Sequence, residues 1–308
     1  MKTKLRKTLG LRGLASPSSA SSAVAGGKRR RLAPVVACSL LALTMAAPGI
    51  GNAGTIYNGW NYAIDSFGDG SGGASFEELG LAFRQSGSTG YFAISGGMPL
   101  AGVPWGSALN GSVAPGEMYL NFSAHNLDTQ AKFTDARVYA IRFASANDSL
   151  GNVGGSNTTL GLFQNVTVTN FAPQNSGYAT LQDYYNHGFG AASQAMGDLS
   201  TTTDVINYLG NGGMFPNIAT GTKVADINLL NPVALAALGL DFAHFSAAGS
   251  NVFGFSVDLS SLPQGTFTAH FFEECINDGI ALRGEVPEPG TLALLSLGLA
   301  GVSLRRRR

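Results

Sequence analysis

The end of the chain constrains it most. An uncharged apolar run of fourteen residues, 291–304, follows Val286, Pro287, Glu288, Pro289 and Gly290 and is closed by Arg305, Arg306, Arg307 and Arg308. As a helix rising about 1.5 Å per residue the run spans roughly 21 Å. A hydrocarbon core is about 30 Å thick, and snorkelling arginines with local thinning of the bilayer make up the difference. Basic residues beside a span stay cytoplasmic, so everything before Val286 is expected outside the cell. The two prolines keep the approach to the span extended, a conformation that suits a membrane protease.

The other end reads as an export signal. Residues 1–53 carry nine Lys or Arg and no acid, with an apolar stretch at 32–47. Gly51, Asn52 and Ala53 then supply the small residues of a signal cleavage site, and the cut is expected after Ala53. Cys38 lies early in the apolar stretch, whereas a lipidated Cys ends one, so a lipoprotein is not expected. The chain divides into a signal segment (1–53), an exported body (54–285) and a C-terminal segment (286–308).

Pro287, Glu288 and Pro289, the short Leu-, Gly- and Ala-rich span and Arg305 to Arg308 resemble, in order and position, the PEP-CTERM sorting signal of bacterial surface proteins. The resemblance implies removal of the tail near Pro-Glu-Pro by a membrane-embedded exosortase, in a bacterium that makes extracellular polysaccharide. The plainer alternative is an ordinary short C-terminal anchor. The body is also similar, over 57–65 and 270–279, to a family of exosortase-dependent surface proteins. That similarity implies a destination and no chemistry.

Setting the two ends aside leaves six basic and eighteen acidic residues in 54–285, a net charge of −12. Such a surface repels nucleic acid and anionic lipid and favours solubility or cation binding. The body is rich in Gly, Asn, Ser and Thr, as short strands joined by many turns require. Cys275 is the single cysteine of the body. It has no intrachain partner there, and its place after Phe271 and Phe272 predicts a buried thiol.

Strands are expected within 55–64, 79–84, 90–94, 118–122, 137–143, 160–169, 252–259, 266–272 and 280–283. In the clearest, Tyr139, Ile141 and Phe143 share one face and Val138, Ala140 and Arg142 the other. Between 180 and 239 the period changes, and helices are expected at 181–185, at 204–209 closed by Gly210, and at 233–238 behind Asn231 and Pro232. No repeat of fixed period occurs. The fold class expected is mainly β: an antiparallel β-sandwich or jelly-roll with a few short helices, between a signal segment and a short transmembrane helix.

Chemistry-bearing patterns are sparse. Residues 68–73 resemble the Gly-Asp-Ser-Gly-Gly of serine proteases, but an extra Gly separates Asp69 from Ser71, and all four histidines follow Ser71. Glu273 and Glu274 point to opposite faces of a strand, so they are no acid/base pair and are read as surface charge. Asp65 and Asp69 lie in a Gly-rich loop that could hold Ca²⁺, with Asp278 adding a ligand if the two chain ends pair in one sheet. The alternative is a plain Asx-type turn. Trp60 and Trp105 could stack on sugar rings or belong to the core. No catalytic residue and no required cofactor emerge. The expected function is that of a non-enzymatic exported surface or extracellular-matrix protein. The alternatives are a carbohydrate-binding module acting on exopolysaccharide and a hydrolase with an unrecognised site.

Overall fold

A computed structural model describes residues 54–153, 157–187 and 195–287. The leader with Ala53, and the tail comprising Glu288, Pro289, the apolar run and Arg305 to Arg308, lie outside the described residues. So do the cleavage and membrane-span expectations that fall on them. Among the described residues no helix is long and apolar enough to cross a membrane.

The body opens on a hairpin of β1 (Thr55–Tyr57) and β2 (Trp60–Ile64), with Tyr57 opposite Trp60. Asn58 and Gly59 between them take φ of 49° and 78°. A two-residue turn matched to the strand twist needs positive φ at both central positions. The Gly that interrupts the aromatic run is thus part of a chain reversal. Next come β3 (Glu78–Ser86), β4 (Thr89–Gly96), the short β5 (Val103–Pro104) and β6 (Ser112–Val113), β7 (Pro115–Asn121), β8 (Val138–Arg142) and β9 (Gly161–Thr169). Helices α1 (Leu181–His187) and α2 (Thr202–Leu209) precede β10 (Asn217–Ala225) and β11 (Ile227–Leu230). Then α3 (Pro232–Ala237) leads to β12 (Asn251–Asp258), β13 (Gly265–Glu273) and β14 (Gly279–Val286).

The strands form two six-stranded sheets, ordered β1-β2-β3-β4-β12-β11 and β10-β9-β8-β7-β13-β14, with β5 and β6 as a separate pair. Every pairing is antiparallel. The mainly β, antiparallel expectation therefore holds. Alternate side chains of both sheets meet in one apolar core, Leu81, Phe83, Phe92 and Phe255 from the first and Met118, Ile141, Phe267 and Phe271 from the second. Aromatic rings bridge the layers: Phe83 meets Phe267 edge-on and Phe143 stacks on Phe255, both with centroids 5.3 Å apart. Contacts of this kind add roughly 0.5–1.5 kcal/mol each beyond the area they bury. The faces of β8 divide as its alternation predicts. Tyr139 and Ile141 join that core, while Val138 and Ala140 pack with Phe133, Val166 and Ile218 in a separate cluster.

Helices α2 and α3 carry the end signals read from the sequence, although α2 starts at Thr202, two residues ahead of the expected 204. The Thr201 side chain accepts from the Asp204 amide at the start of α2, and Gly210 follows its last residue with φ 74°. Asn231 accepts from the Ala234 amide at the start of α3, with Pro232 in the first helical position. The same stretch also holds β10 and β11, which the sequence does not announce. Both lie at sheet edges, and Thr220, Thr222, Lys223 and Val224 of β10 are exposed. A strand with little to bury leaves no apolar alternation to read.

Cys275 is 1 % exposed and packs with Phe76, Met98, Ala108 and Val113. Burial, with Glu273 nearby, holds its thiol well above the ordinary range. The chain carrying Cys38→Ser, which isolates this thiol, should label with a thiol reagent slowly when native and at once in denaturant. Rapid native labelling, or a dimer on a gel that reductant removes, would exclude a packed thiol.

Candidate metal centre

Of the eighteen acidic residues in 54–285, eight are buried: Asp65, Asp69, Glu78, Glu117, Asp148, Glu273, Glu274 and Asp278. Much of the acid surplus is therefore internal, which corrects the expectation of a strongly acidic surface. Glu273 and Glu274, read as surface charge, are both 0 % exposed. They do point apart, and each enters a different buried group. Among the described residues Arg142 is the one buried Arg or Lys.

In the first group both glutamates are saturated with protein donors. Glu117 accepts from Asn147 Nδ2 at 2.8 Å, Ser149 Oγ at 2.7 Å and the Ile218 amide at 3.0 Å, and Arg142 Nε stands 3.9 Å from its Oε1. Glu274 accepts from the Ala114 amide at 3.0 Å, Asn217 Nδ2 at 2.8 Å and the Asp148 amide. Burial raises Glu117 to about 7 against the opposing pull of Ser149 and Arg142, and raises Glu274 to about 8 with help from Asp148. This network is structural. Every carboxylate oxygen of the two glutamates has a partner, as buried polar groups require.

The second group is not saturated. Asp65 follows β2, Asp69 lies four residues on in the loop, Glu78 opens β3, Glu273 closes β13 and Asp278 immediately precedes β14. One ligand atom from each of Asp65, Asp69 and Asp278 lies within 4.8 Å of the others. Asp278 Oδ2 accepts from the Glu78 amide at 2.7 Å, its Oδ1 from the Gly279 amide at 2.7 Å, and its own amide donates to Glu273 Oε2 at 3.2 Å. Asp65 Oδ1 accepts from the Gly197 amide at 2.9 Å. Three buried oxygens of the aspartates remain without a hydrogen-bond partner, Asp65 Oδ2 and both of Asp69, while the Glu78 and Glu273 carboxyl groups lie within hydrogen-bonding reach of each other. No Lys or Arg among the described residues pairs with any of these carboxylates.

Local structure clasps the loop against the β13–β14 turn. The Glu77 carboxylate accepts from the Gly68 and Gly70 amides. The Ser71 amide donates to Asn277 O at 2.8 Å, and Asn277 Nδ2 returns a bond to Ser71 O at 3.2 Å. Gly70 runs so close that a Cβ there would meet Asp278 Oδ2 at 3.1 Å. Burial raises Asp65, Glu78, Glu273 and Asp278 well above the carboxylate range, and their mutual repulsion adds to it. Burial, then Glu77, lifts Asp69 to about 7.

The three aspartates singled out in the sequence thus come together, though not by the expected route. β2 and β14 belong to different sheets, and the loop after β2 meets the turn before β14 across the gap between them. Glu78 and Glu273 were not foreseen as members. The imbalance of six bases against eighteen acids was the available signal, because it leaves most acids without a basic partner.

Other sequence candidates disperse. Trp60 is 0 % exposed and donates its indole N–H to Leu238 O at 2.9 Å, so it is a core residue with no face for a sugar, contrary to the stacking expectation. Trp105 is 38 % exposed and meets Phe76 edge-on. His125 contacts Asp135, His244 stacks on Tyr57 and His270 bonds Tyr208, while Ser71 belongs to the loop clasp.

Residues 285–308 match the PEP-CTERM protein-sorting motif. Pro287, Glu288, Pro289 and Arg305 to Arg308 all fall inside the match. Neither curated proteins nor solved structures give a match to the chain. The chain carries the signal of an exosortase-sorted protein, which implies export and transient anchoring in the membrane before processing.

The saturated network makes a pH-dependent prediction. Removing one partner of a buried ion pair costs roughly 3–5 kcal/mol, so Arg142→Ala should destabilise by about that much where Glu117 is ionised. With the cation gone Glu117 is raised further above about 7 and protonates more readily as pH falls. The loss should therefore be smaller at pH 6 than at pH 8. Urea unfolding of both proteins at the two pH values reads the difference, and a loss that grows on acidification would contradict the assignment.

Proposed function

We propose that this chain is a non-enzymatic component of the bacterial surface or extracellular matrix, released from its membrane anchor when an exosortase cuts near Pro287, Glu288 and Pro289. The observation that carries the reading is where the motif meets the fold. β14 runs to Val286, whose partner in β13 is Gly265, and Val286 is buried in the core shared by the two sheets. The first proline of the signal is the next residue. A cut beyond Val286 leaves all fourteen described strands intact, so the released body keeps both of its paired sheets.

The non-enzymatic part of the reading is supported by the side chains themselves. Glu273 and Glu274 are committed to separate buried groups, and the three histidines with described side chains are engaged far from Ser71 in the sequence. Trp105, 38 % exposed, is by itself a thin basis for a sugar-stacking site.

Mass spectrometry of protein extracted from the cell surface and medium should find a chain that begins near Gly54, retains Val286 and lacks Arg305 to Arg308. Recovery of the intact tail outside the cell would defeat the sorting mechanism. A C-terminus inside β14 would defeat the claim that cleavage spares the fold.

A further inference from the structure

The second carboxylate group poses a problem that protein atoms do not solve. Five acids converge, each at least 96 % buried, since none exceeds 4 % exposure. Asp69 is 1 % exposed and neither of its oxygens has a hydrogen-bond partner. Its neighbour Asp65 has one free oxygen aimed into the same space. A buried carboxylate without donors is strongly unfavourable, and buried charges are paired or hold metals. The Glu117–Glu274 network shows that this fold can supply donors where it needs them. At the second group its donors reach Asp278, from two amides and the Tyr184 hydroxyl, and one oxygen of Asp65, and they leave Asp69 with none.

We propose that Asp65, Asp69 and Asp278 bind one hard divalent cation of the Ca²⁺ class, with Glu78 and Glu273 as the outer carboxylates of the site. The donor set is all oxygen, which suits Ca²⁺ and argues against thiophilic or imidazole-preferring metals. Ligand atoms within 4.8 Å of one another match an ion that holds oxygens at about 2.3–2.6 Å on opposite sides. Mg²⁺ demands a tighter octahedron at about 2.0–2.1 Å and sheds water reluctantly, so it should bind more weakly. Asp278 keeps its backbone donors while it binds, because each carboxylate oxygen has two lone pairs. The ion would tie the loop after the second strand to the turn before the last. It thereby joins the first hairpin of one sheet to the closing hairpin of the other.

The inference stands apart from the sorting mechanism and is read on the full-length chain in detergent. The chain is stripped with chelator, returned to metal-free buffer at pH 7.5 and titrated with CaCl₂ or MgCl₂, by calorimetry and by thermal melting. Ca²⁺ should bind one per chain, raise the melting temperature, and outbind Mg²⁺ at least tenfold, within the range of about 10⁻⁴–10⁻³ M found for extracellular modules. Asp69→Asn should weaken Ca²⁺ binding at least tenfold. In chelator the same variant should melt at or above the parent, because a repelling charge has been removed, and this inversion also shows that the variant folds. Asp135→Asn, beside His125 and away from the site, should bind Ca²⁺ as the parent does. No heat and no shift at millimolar Ca²⁺ would mean that protons alone neutralise the group and would overturn the proposal. Unchanged Ca²⁺ binding in both Asp69→Asn and Asp278→Asn would overturn it too, by placing the ion elsewhere, and Mg²⁺ binding as tightly as Ca²⁺ would overturn the ion class.

Discussion

Burying a carboxylate is among the least favourable things a protein can do, and this domain buries eight against a single guanidinium. Transfer of an unpaired charge out of water costs several kcal/mol even after relaxation, so each must be neutralised, hydrogen-bonded or bound to something. Glu117 and Glu274 take the hydrogen-bonded route, drawing on backbone amides from β10 and from the start of β7's approach, with Asn147 and Asn217 completing the shell. Asp65, Asp69 and Asp278 take the other. One carboxylate oxygen of each lies within 4.8 Å of the other two, and a small cation is the partner whose charge and ligand preference suit that arrangement.

Topology explains why the unsaturated group sits where it does. The aromatic core holds the layers together by packing, and Asn61 Nδ2 of β2 adds one hydrogen bond across the sheets to Arg283 O of β14 at 2.8 Å. The ends of the layers are different, because loops leave the sheets there and their amides must be met. The loop 65–73 is too rich in glycine to hold its own shape. It is held instead by Glu77 from behind and by Asn277 in front. Position 278 then contributes a backbone-anchored carboxylate at the point where the loop arrives. The last strand closes this arrangement and, one residue later, gives way to Pro287, the first proline of the sorting signal.

Legibility in the sequence divided along physical lines. Local rules sufficed for the end of α2, marked by Gly210, for the start of α3, marked by Asn231 and Pro232, and for β8, whose alternation survives because one face packs into the shared core and the other into a second cluster. Edge strands β10 and β11 were silent, since side chains that stay in water carry no pattern. Trp60 shows the reverse failure. An aromatic residue in a Gly-rich stretch reads equally as a binding platform or a core residue, and its indole hydrogen bond to Leu238 comes from 178 residues away.

The C-terminal end announced its role by composition and order alone, because a sorting signal is recognised as a linear segment: Pro287, Glu288, Pro289, the apolar run and the four arginines need no fold to be read. Strand identity and helix caps were likewise local. What only the tertiary structure decided is the meaning of the acids. A carboxylate on a strand next to another carboxylate reads as solvated charge, and nothing within a few residues of Glu273 or Glu274 says otherwise. Their burial arises from pairing of β13 with β7 and β14 and from a loop more than 200 residues earlier in the chain, and electrostatics depends on that distance in space, which sequence separation does not convey.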